Sequence, residues 1–472
     1  MALRRNVAER VPVVEEVEER EARVSSYNDK IINISRNEVV RRSQVGEIID
    51  GSHVWPRDAV THFPQRLVPA FVRNAIIDAS PPLFVFAIAS LAIFVFAAII
   101  ASSPHVAGEI EVPSYTLRPE LSQWEEKLLG TWQHWDGLWY LKIAKQGYND
   151  YDYSTAFFPL YPLVVRIIGS ILEIHLLLAG MLLSLISYAV ALVYLYKLGK
   201  MEIDEEAARR SVIYLAIFPT AFFFLAVYTE SMFLALSVAI FFYARKGHWT
   251  TVGILGLLAS LTRSTGLLLA LPLFIEYLQQ RNLRLREIRS DILNLALVPA
   301  GTAIYAIYDF FAFGDPLIFL HAQIHWERSF ATPWQTLASA WDFALNDANI
   351  PLVTEPDGSP IYQALYISNL ISGHALNLAF FVLGLVLIIA AFKTLRPAYG
   401  VYAFLVIIIP LFNPSETMPL LSTPRFIAVL FPIFFALALI GKNRIAHWAI
   451  SATFVTVLAL FLIRFASWYW VA

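Results

Sequence analysis

The sequence predicts an all-α protein that crosses a membrane many times. Its 472 residues are 58% hydrophobic and only 15% charged, whereas charged residues make up about 25% of a typical soluble domain. Apolar runs follow one another from residue 82 to residue 466, and a helix needs about 20 apolar residues to span a hydrocarbon core. Composition and run length together therefore place the chain among the polytopic membrane proteins.

About 11 of these runs are predicted to be transmembrane helices. They occupy residues 82–103, 174–196, 211–228, 231–244, 249–262, 264–280, 292–313, 369–392, 399–413, 425–440 and 446–466. The runs 249–262 and 264–280 are short for a hydrocarbon core of about 30 Å. We therefore predict that these two helices cross only half of the membrane.

Residues 1–80 differ in character from the rest of the chain. They contain twelve Lys/Arg and twelve Asp/Glu residues with little hydrophobic periodicity, a mixture typical of solvated or partly disordered segments. A cleavable signal peptide would have its apolar region within about the first 30 residues, but the first long apolar run begins near Pro82. We therefore expect a charged, partly disordered tail at 1–80, followed by one transmembrane domain at 81–472.

The distribution of lysine and arginine predicts the orientation of this domain. The tail and the loops on its side of the membrane hold 26 Lys/Arg residues. The opposite side holds only Arg118, Lys127, Lys142, Lys145 and Arg328. Because positively charged loops face the cytoplasm, the tail is predicted to be cytoplasmic. The two long loops, 104–156 and 314–368, are then outer loops with interfacial helices.

Several classes of function find no support in the sequence. A net charge of −2 argues against nucleic-acid binding, which needs a basic field. The absence of cysteine excludes disulfides and Cys metal sites. The chain carries no Walker loop, no GxGxxG after a strand, no GxSxG elbow and no HExxH. Because activated nucleotides stay in the cytosol, an enzyme on the outer face needs a lipid-borne donor or a hydrolytic reaction.

The most informative motif is HWDGLWYLKIAKQGY at residues 134–148. Projected on a helix, Lys142, Lys145 and Gln146 share one arc, and Asp136 lies on the opposite, apolar arc. A desolvated carboxylate has a raised pKa and suits a general base. The alternative is an interfacial helix with an aromatic belt, in which Asp136 caps the helix or pairs with a cation. The projection alone favours neither.

Together with four later segments, this motif resembles the PIG-V family of mannosyltransferases. The segments are AFFPLYP (156–162), YTESMFLAL (228–236), LASLTRSTGLLLALP (258–272) and TPRFIAVLFPIF (423–434). The resemblance covers about residues 80–440 and implies a GT-C glycosyltransferase fold. The lack of cysteine and the compact loops resemble the prokaryotic branch, so the predicted location is a prokaryotic plasma membrane, or the endoplasmic reticulum in a eukaryote.

The resemblance also implies a reaction. Enzymes of this kind take a sugar from a polyprenyl- or dolichyl-phosphate donor on the non-cytosolic face, and an acidic residue in the first outer loop is the catalytic base. Asp136 matches that position. The expected product is a mannosylated, lipid-anchored acceptor formed with inversion. No cofactor is expected, and a divalent metal is not obligatory because the leaving phosphate is itself well stabilised.

Three charged residues at the ends of predicted spans are further candidates. Arg263 lies at the break between two short runs, and Arg425 begins a later span; both are predicted to bind the donor phosphate. The alternatives are an arginine that bridges helices and one that anchors at the interface. Glu230 is predicted to pair with Arg263, to orient the acceptor, to act as a second acid or to cap its helix.

Residues beside the aspartate complete the set of candidates. His134, Trp135 and Tyr140 flank Asp136 and are predicted to contact the substrate or the carboxylate. In the second outer loop, His321 and His325 have the i, i+4 spacing of a metal pair. They have no third ligand at suitable spacing, so the sequence predicts no metal site.

Two other classes of function remain open. A transporter or flippase would also use broken helices and intramembrane arginines to bind a phospholipid-like substrate, although the sequence shows no inverted repeat. A noncatalytic assembly subunit would use the aromatic loop for docking, and it would tolerate the loss of Asp136.

Overall fold

The computed structural model describes residues 70–102, 121–346, 373–467 and 471. Most of the charged tail lies outside these residues, as do 103–120 of the first outer loop and 347–372 of the second. In the described residues the chain is helical, and its extended pairing is limited to a single bridge between Arg328 and Ser415.

Seventeen α-helices form in the described part of the chain. They are α1 (Ala70–Ala101), α2 (Gln123–Leu129), α3 (Asp136–Gln146), α4 (Leu160–Leu172), α5 (Leu176–Glu202), α6 (Glu205–Ala216), α7 (Glu230–Arg245), α8 (Trp249–Thr262), α9 (Ala270–Gln279), α10 (Leu297–Phe313), α11 (Ile318–His321), α12 (Pro333–Asn346), α13 (Gly373–Thr394), α14 (Pro397–Ile408), α15 (Thr423–Ala428), α16 (Phe431–Ile440) and α17 (Arg444–Ala466).

Among the described residues, five helical segments are long and apolar enough to cross a membrane. They are Asp78–Ala101, Leu176–Glu202, Ser290–Phe313, Gly373–Thr394 and Arg444–Ala466. Shorter apolar helices of 10–17 residues accompany them. The prediction of an all-α integral membrane protein is therefore confirmed, while the count of about 11 spans stays a prediction.

One predicted span, 211–228, is not a single helix. Helix α6 ends at Ala216, and the chain continues through a short 3₁₀ turn at Ala221–Phe224. Pro219 explains the break, because proline lacks a backbone N–H and disfavours helical geometry in the residue before it. Residues 218–229 are all buried, so this irregular segment is part of the core.

The predicted break between two short runs is present. Helix α8 ends before Arg263, which is extended (φ −152°, ψ 148°), and a 3₁₀ segment at Ser264–Leu269 leads into α9. With 14 residues, α8 is about 21 Å long, shorter than a hydrocarbon core of about 30 Å. In this membrane domain, Arg263 is thus placed at a helix end.

One further short helix, α4, was missed by the span prediction. Its outward face exposes Leu163, Ile167 and Ile171, which are spaced four residues apart. This spacing places them on one side of the helix, as in a helix that shows its apolar face to lipid. The opposite side buries Tyr161 and Val165 and packs against α5.

Helix α7 is central to the domain. It packs against α5 and α8, begins at the buried Glu230 and ends at Arg245. Arg245 is ion-paired with Glu202, and its Nη1 lies 3.1 Å from Oε1 of Glu276. Because α7 has 16 residues, the Glu230 and Arg245 ends are about 24 Å apart.

Candidate active site

The aspartate of the motif at residues 134–148 begins a helix. Asp136 is the first residue of α3, and Trp135 before it has a positive φ of 55°, a conformation that is uncommon for a non-glycine side chain. Two hydrogen bonds from the segment before α7 stabilise this turn. The Tyr228 hydroxyl donates to the His134 carbonyl oxygen at 2.9 Å, and Val227 N–H donates to the Trp132 carbonyl oxygen at 2.9 Å. The irregular segment before α7 thus supports the turn that presents Asp136.

Four charged side chains meet at this point, and we call them the charge network: Asp136, Arg425, Glu230 and Arg263. Arg425 donates through Nη1 to Asp136 Oδ2 at 2.9 Å, and through Nη2 and Nε to Glu230 Oε1 at 2.8 and 3.0 Å. Arg263 donates through Nη1 to the same Glu230 oxygen at 2.7 Å. Carboxylates and guanidinium groups therefore alternate in one chain of contacts.

Burial along the charge network is uneven. The side chain of Glu230 is 0% exposed, Arg425 is 6%, Arg263 is 14% and Asp136 is 21%. Buried charges persist when they are paired and hydrogen-bonded, and each of these charges has an opposite partner. Asp136 is the most accessible carboxylate of the network, so it is the one that a substrate can reach.

Arg425 is held by aromatic rings as well as by carboxylates. Its guanidinium lies 5.0 Å from the ring centre of Phe223 and 4.8 Å from that of Tyr228. A guanidinium near an aromatic face is favoured by cation–π attraction. These contacts and the bonds to Glu230 fix the cation that touches Asp136.

Several sequence predictions can be compared with these contacts. The predicted pairing of Glu230 with Arg263 is confirmed, and so is the pairing of Asp136 with a cation, which was the structural alternative. Thr229 at the α7 N-terminus makes no capping bond with its side chain. Instead, its hydroxyl accepts from Arg263 Nη1 at 3.1 Å.

The residues that flank Asp136 are packed among other side chains. His134 and Tyr140 are both buried. The Nδ1 atom of His134 is 2.9 Å from the Phe465 carbonyl oxygen, and the Tyr140 hydroxyl is 3.4 Å from Thr229 Oγ1. Trp135 is partly buried against the same core. Their predicted contact with substrate stays a prediction.

The predicted polar arc of α3 is wrong in one position. Lys145 and Gln146 are exposed, but Lys142 is buried and ion-paired with Asp152. The chain turns back after α3, and this turn brings Asp152 to the lysine. Burial by itself would raise the pKa of Asp152, but hydrogen bonds from Lys142 and Ser154 outweigh it and hold the pKa below its ordinary value.

The two histidines of the second outer loop do not form a metal cluster. His321 Nδ1 lies 2.7 Å from Asp315 Oδ2, and His325 stacks on the Tyr153 ring with 4.2 Å between ring centres. Within the described part of the chain, no three His, Asp or Glu side chains are grouped so that they could hold a metal ion.

Sequence reasoning used Arg328 only to predict orientation and missed its pairing with the segment that precedes α15. Its backbone pairs with Ser415, and its Nη1 donates to the Asn413 carbonyl oxygen at 3.2 Å. Arg328 and its neighbours Glu327 and Ser329 form no recognisable motif, so only the tertiary structure could reveal that they pair with the segment before α15.

Residues 82–301 match the family model described as "Mannosyltransferase (PIG-V)". This range contains Asp136, Glu230 and Arg263, whereas Arg425 and Arg328 lie beyond it.

Two GPI mannosyltransferases match part of this sequence. The chain is 33% identical over 123 residues to GPI mannosyltransferase 2 of Drosophila melanogaster, which is 23% of this chain and 26% of the relative. It is 29% identical over 173 residues to GPI alpha-1,6-mannosyltransferase 2 of Cricetulus griseus, 34% of this chain and 35% of the relative. The matches therefore span only about a quarter to a third of these relatives.

Two solved structures also align with most of this chain. ArnT from Cupriavidus metallidurans, bound to undecaprenyl phosphate, is 13% identical with a TM-score of 0.44, covering 82% of this chain and 74% of that one. The Archaeoglobus fulgidus oligosaccharyltransferase, tethered to an acceptor peptide, is 16% identical with a TM-score of 0.38, covering 80% and 55%. The family match at residues 82–301 confirms the predicted resemblance of this membrane domain to the PIG-V mannosyltransferases.

Proposed function

We propose that the protein is an inverting mannosyltransferase with a GT-C fold. It takes mannose from a polyprenyl- or dolichyl-phosphate donor and transfers it to a membrane-associated acceptor, a glycolipid, on the non-cytosolic face. The observation that carries this proposal is the position of Asp136. It is the accessible carboxylate of a buried charge network, and it lies within the residues that match a mannosyltransferase family.

Asp136 acts as the general base. Arg425 binds its Oδ2 at 2.9 Å, and no donor in the described part of the chain is bonded to Oδ1, which leaves that oxygen for an acceptor hydroxyl. The carboxylate accepts the hydroxyl proton as the hydroxyl oxygen attacks the anomeric carbon. The bond from that carbon to the phosphate oxygen breaks, and the lipid phosphate leaves with the electron pair. A β-linked mannosyl phosphate gives an α-mannoside.

The rest of the charge network positions the base. Glu230 accepts hydrogen bonds from both arginines through one oxygen, so Arg425 cannot turn away from Asp136 without leaving a buried carboxylate underpaired. Glu230 would then keep only Arg263 as a partner, and weakening the pairing of a buried charge is unfavourable. A base held in one orientation is what general-base catalysis requires, since the hydroxyl must lie within hydrogen-bonding reach.

The distribution of positive charge and the length of α7 support an active site on the outer face. Lysine and arginine are concentrated on the side of the N-terminal tail, which by the positive-inside rule is the cytoplasmic side. The predicted topology assigns the Arg245 end of α7 to the cytoplasmic side, and the Glu230 end is about 24 Å away along the helix. Because the sequence contains no cysteine, a single cysteine placed at Asp150 can be labelled from one side at a time. Labelling only from the cytosol would refute the outer face.

A transfer assay tests the function itself. Purified protein in vesicles is given polyprenyl-phosphate mannose with a labelled sugar, together with a membrane lipid extract. The proposal predicts labelled mannose in a new lipid product. Parallel reactions with polyprenyl-phosphate glucose and arabinose test the sugar. Movement of intact donor across the bilayer without transfer would instead support the transporter alternative, and the absence of both would contradict the proposal.

A further inference from the structure

Helix α12 (Pro333–Asn346) presents three different faces. Projected on a helix, one face is buried against the domain and includes Thr336 and Ala340. A second face is apolar and exposed, and we call it the apolar stripe: Trp334, Ala338, Trp341 and Leu345. The third face is polar and exposed, and we call it the polar stripe: Gln335, Ser339, Asp342 and Asn346. Residues three and four positions apart are neighbours on a helix surface, so the apolar stripe forms one continuous line along α12.

Both halves of α12 are attached to the ends of other helices. The Phe343 ring stacks on His374 with 4.9 Å between ring centres, and His374 is the second residue of α13. The Thr336 hydroxyl donates to the Leu411 carbonyl oxygen at 2.7 Å, and Leu411 lies in the 3₁₀ turn that follows α14. The two attachment points are about 10 Å apart along α12.

These two helix ends lie at the same surface of the membrane. Helix α13 has 22 residues and is about 33 Å long, enough to cross a hydrocarbon core of about 30 Å. Helix α14 runs back along it, because Gly384 lies against Ile407 and Gly400 lies against Phe392. The end of α14 therefore returns to the level at which α13 begins. A helix attached to both ends lies along the membrane surface and does not cross it.

The apolar stripe continues into other exposed apolar side chains. Trp334 and Trp341 are 70% and 58% exposed, and Phe330 and Phe412 are exposed beside the start of α12. An apolar surface of this extent indicates an interaction site. Tryptophan is enriched at membrane interfaces, and amphipathic helices with Trp and Leu on one face lie in the interface plane. The partner that fits the apolar stripe is therefore lipid.

We propose that α12 lies in the interfacial layer of the membrane, with the apolar stripe among the lipid chains and the polar stripe toward water. The lipid contact also braces the candidate active site. Ser329 N–H donates to the Pro414 carbonyl oxygen and Ala331 N–H to the Phe412 carbonyl oxygen, both at 3.2 Å. The residues that enter α12 are thus bonded to the segment that leads into α15 and Arg425, and lipid holds that segment at a fixed depth. This placement depends on the membrane domain and not on the reaction that it catalyses.

Labels on two neighbouring residues test the placement. The chain has no cysteine, so Ala338→Cys in the apolar stripe and Ser339→Cys in the polar stripe each create one labelling position. Each variant is labelled with a fluorescent dye and reconstituted in phosphatidylcholine nanodiscs. The Ala338 label should be quenched by nitroxide lipids and shielded from iodide in the buffer, and the Ser339 label should show the reverse. Equal quenching of the two labels by iodide would refute the placement. Shielding of the Ala338 label from both quenchers would also refute it, because protein, either a second copy or another segment of this chain, would then cover the stripe.

Hydrogen exchange tests the brace. Ala338→Glu places a charge in the apolar stripe, and Ser339→Glu places the same charge in the polar stripe as the matched control. In nanodiscs, Ala338→Glu should speed exchange of the Ser329 and Ala331 amides by about tenfold or more, and Ser339→Glu should exchange as wild type does. Unchanged exchange in Ala338→Glu would show that lipid does not hold this segment. Trp341→Ser removes apolar area without adding charge, and it provides the same comparison if Ala338→Glu does not fold.

Discussion

Replacing Glu230 by glutamine tests whether the charge network holds the domain together. Glu230 is fully buried and accepts bonds from two guanidinium groups at 2.7–3.0 Å. Glutamine has nearly the same shape but no charge, so Arg425 and Arg263 would lose their shared counter-charge. Breaking a buried ion pair by removing one partner costs about 3–5 kcal/mol. Glutamine retains one acceptor oxygen, so we expect a loss near the lower end, about 3 kcal/mol.

The assay is equilibrium unfolding of the purified protein in detergent, with Glu287→Gln as the matched control. Glu287 pairs with Arg284, but both side chains are exposed, and exposed pairs contribute about 0–1 kcal/mol. The control should therefore unfold almost as wild type does. A loss of less than about 1 kcal/mol in Glu230→Gln would refute the reasoning, because a buried carboxylate shared by two arginines could not then be a major support.

Two further predictions concern stability. Because the pKa of Asp152 is lower in the folded protein than its unfolded value of about 3.9, its charged form stabilises the fold above that pH, and this contribution is lost as the pH falls through the folded pKa. Asp152→Asn should therefore be less stable than wild type at pH 7, with the difference shrinking in unfolding curves recorded below about pH 4; a constant difference would contradict the pairing with Lys142. Gly301→Ala should destabilise the fold by about 1–3 kcal/mol, because its Cβ would lie 2.3 Å from the Leu257 carbonyl oxygen. Gly301 lies in α10, which packs against α8, and an unfolding midpoint equal to that of wild type would contradict this close packing.

Sequence patterns predicted the membrane class well and singled out Asp136 as a candidate, because both signals are local. The residues of α5 form an apolar run long enough to cross a membrane. Hydropathy measures the length and apolar character of such a run directly. The unusual aspartate in a tryptophan-rich loop could likewise be recognised from its immediate neighbours. Arg263 was recognised for the same reason, since it interrupts an apolar run.

Contacts between distant segments could not be predicted in this way. The bond between Arg425 and Asp136 joins residues 289 positions apart, and no periodicity carries that information. The helical projection of α3 likewise placed Lys142 among exposed residues, because it took no account of the chain reversal that brings Asp152 to it. The reversal depends on a turn that follows the helix, so the error lies in tertiary structure and not in the helix itself.

Irregular structure was the other source of error. The run 211–228 is apolar enough to resemble a span, but Pro219 breaks the helix and the following residues fold into the core. Hydropathy reports that a residue avoids water, and it does not distinguish burial in lipid from burial in protein. That distinction matters here because this segment supports both Asp136 and Arg425.

If Asp136 is the base of a mannosyl transfer, its substitution should slow the reaction and that of a nearby aspartate should not. Transfer from polyprenyl-phosphate mannose is measured for wild type, Asp136→Asn and Asp150→Asn, the last an exposed aspartate of the same loop. We predict that Asp136→Asn lowers kcat by about 10²–10⁴-fold while its unfolding midpoint stays close to that of wild type. Asp150→Asn should transfer mannose at the wild-type rate. Undiminished transfer by Asp136→Asn would show that Asp136 is not the base.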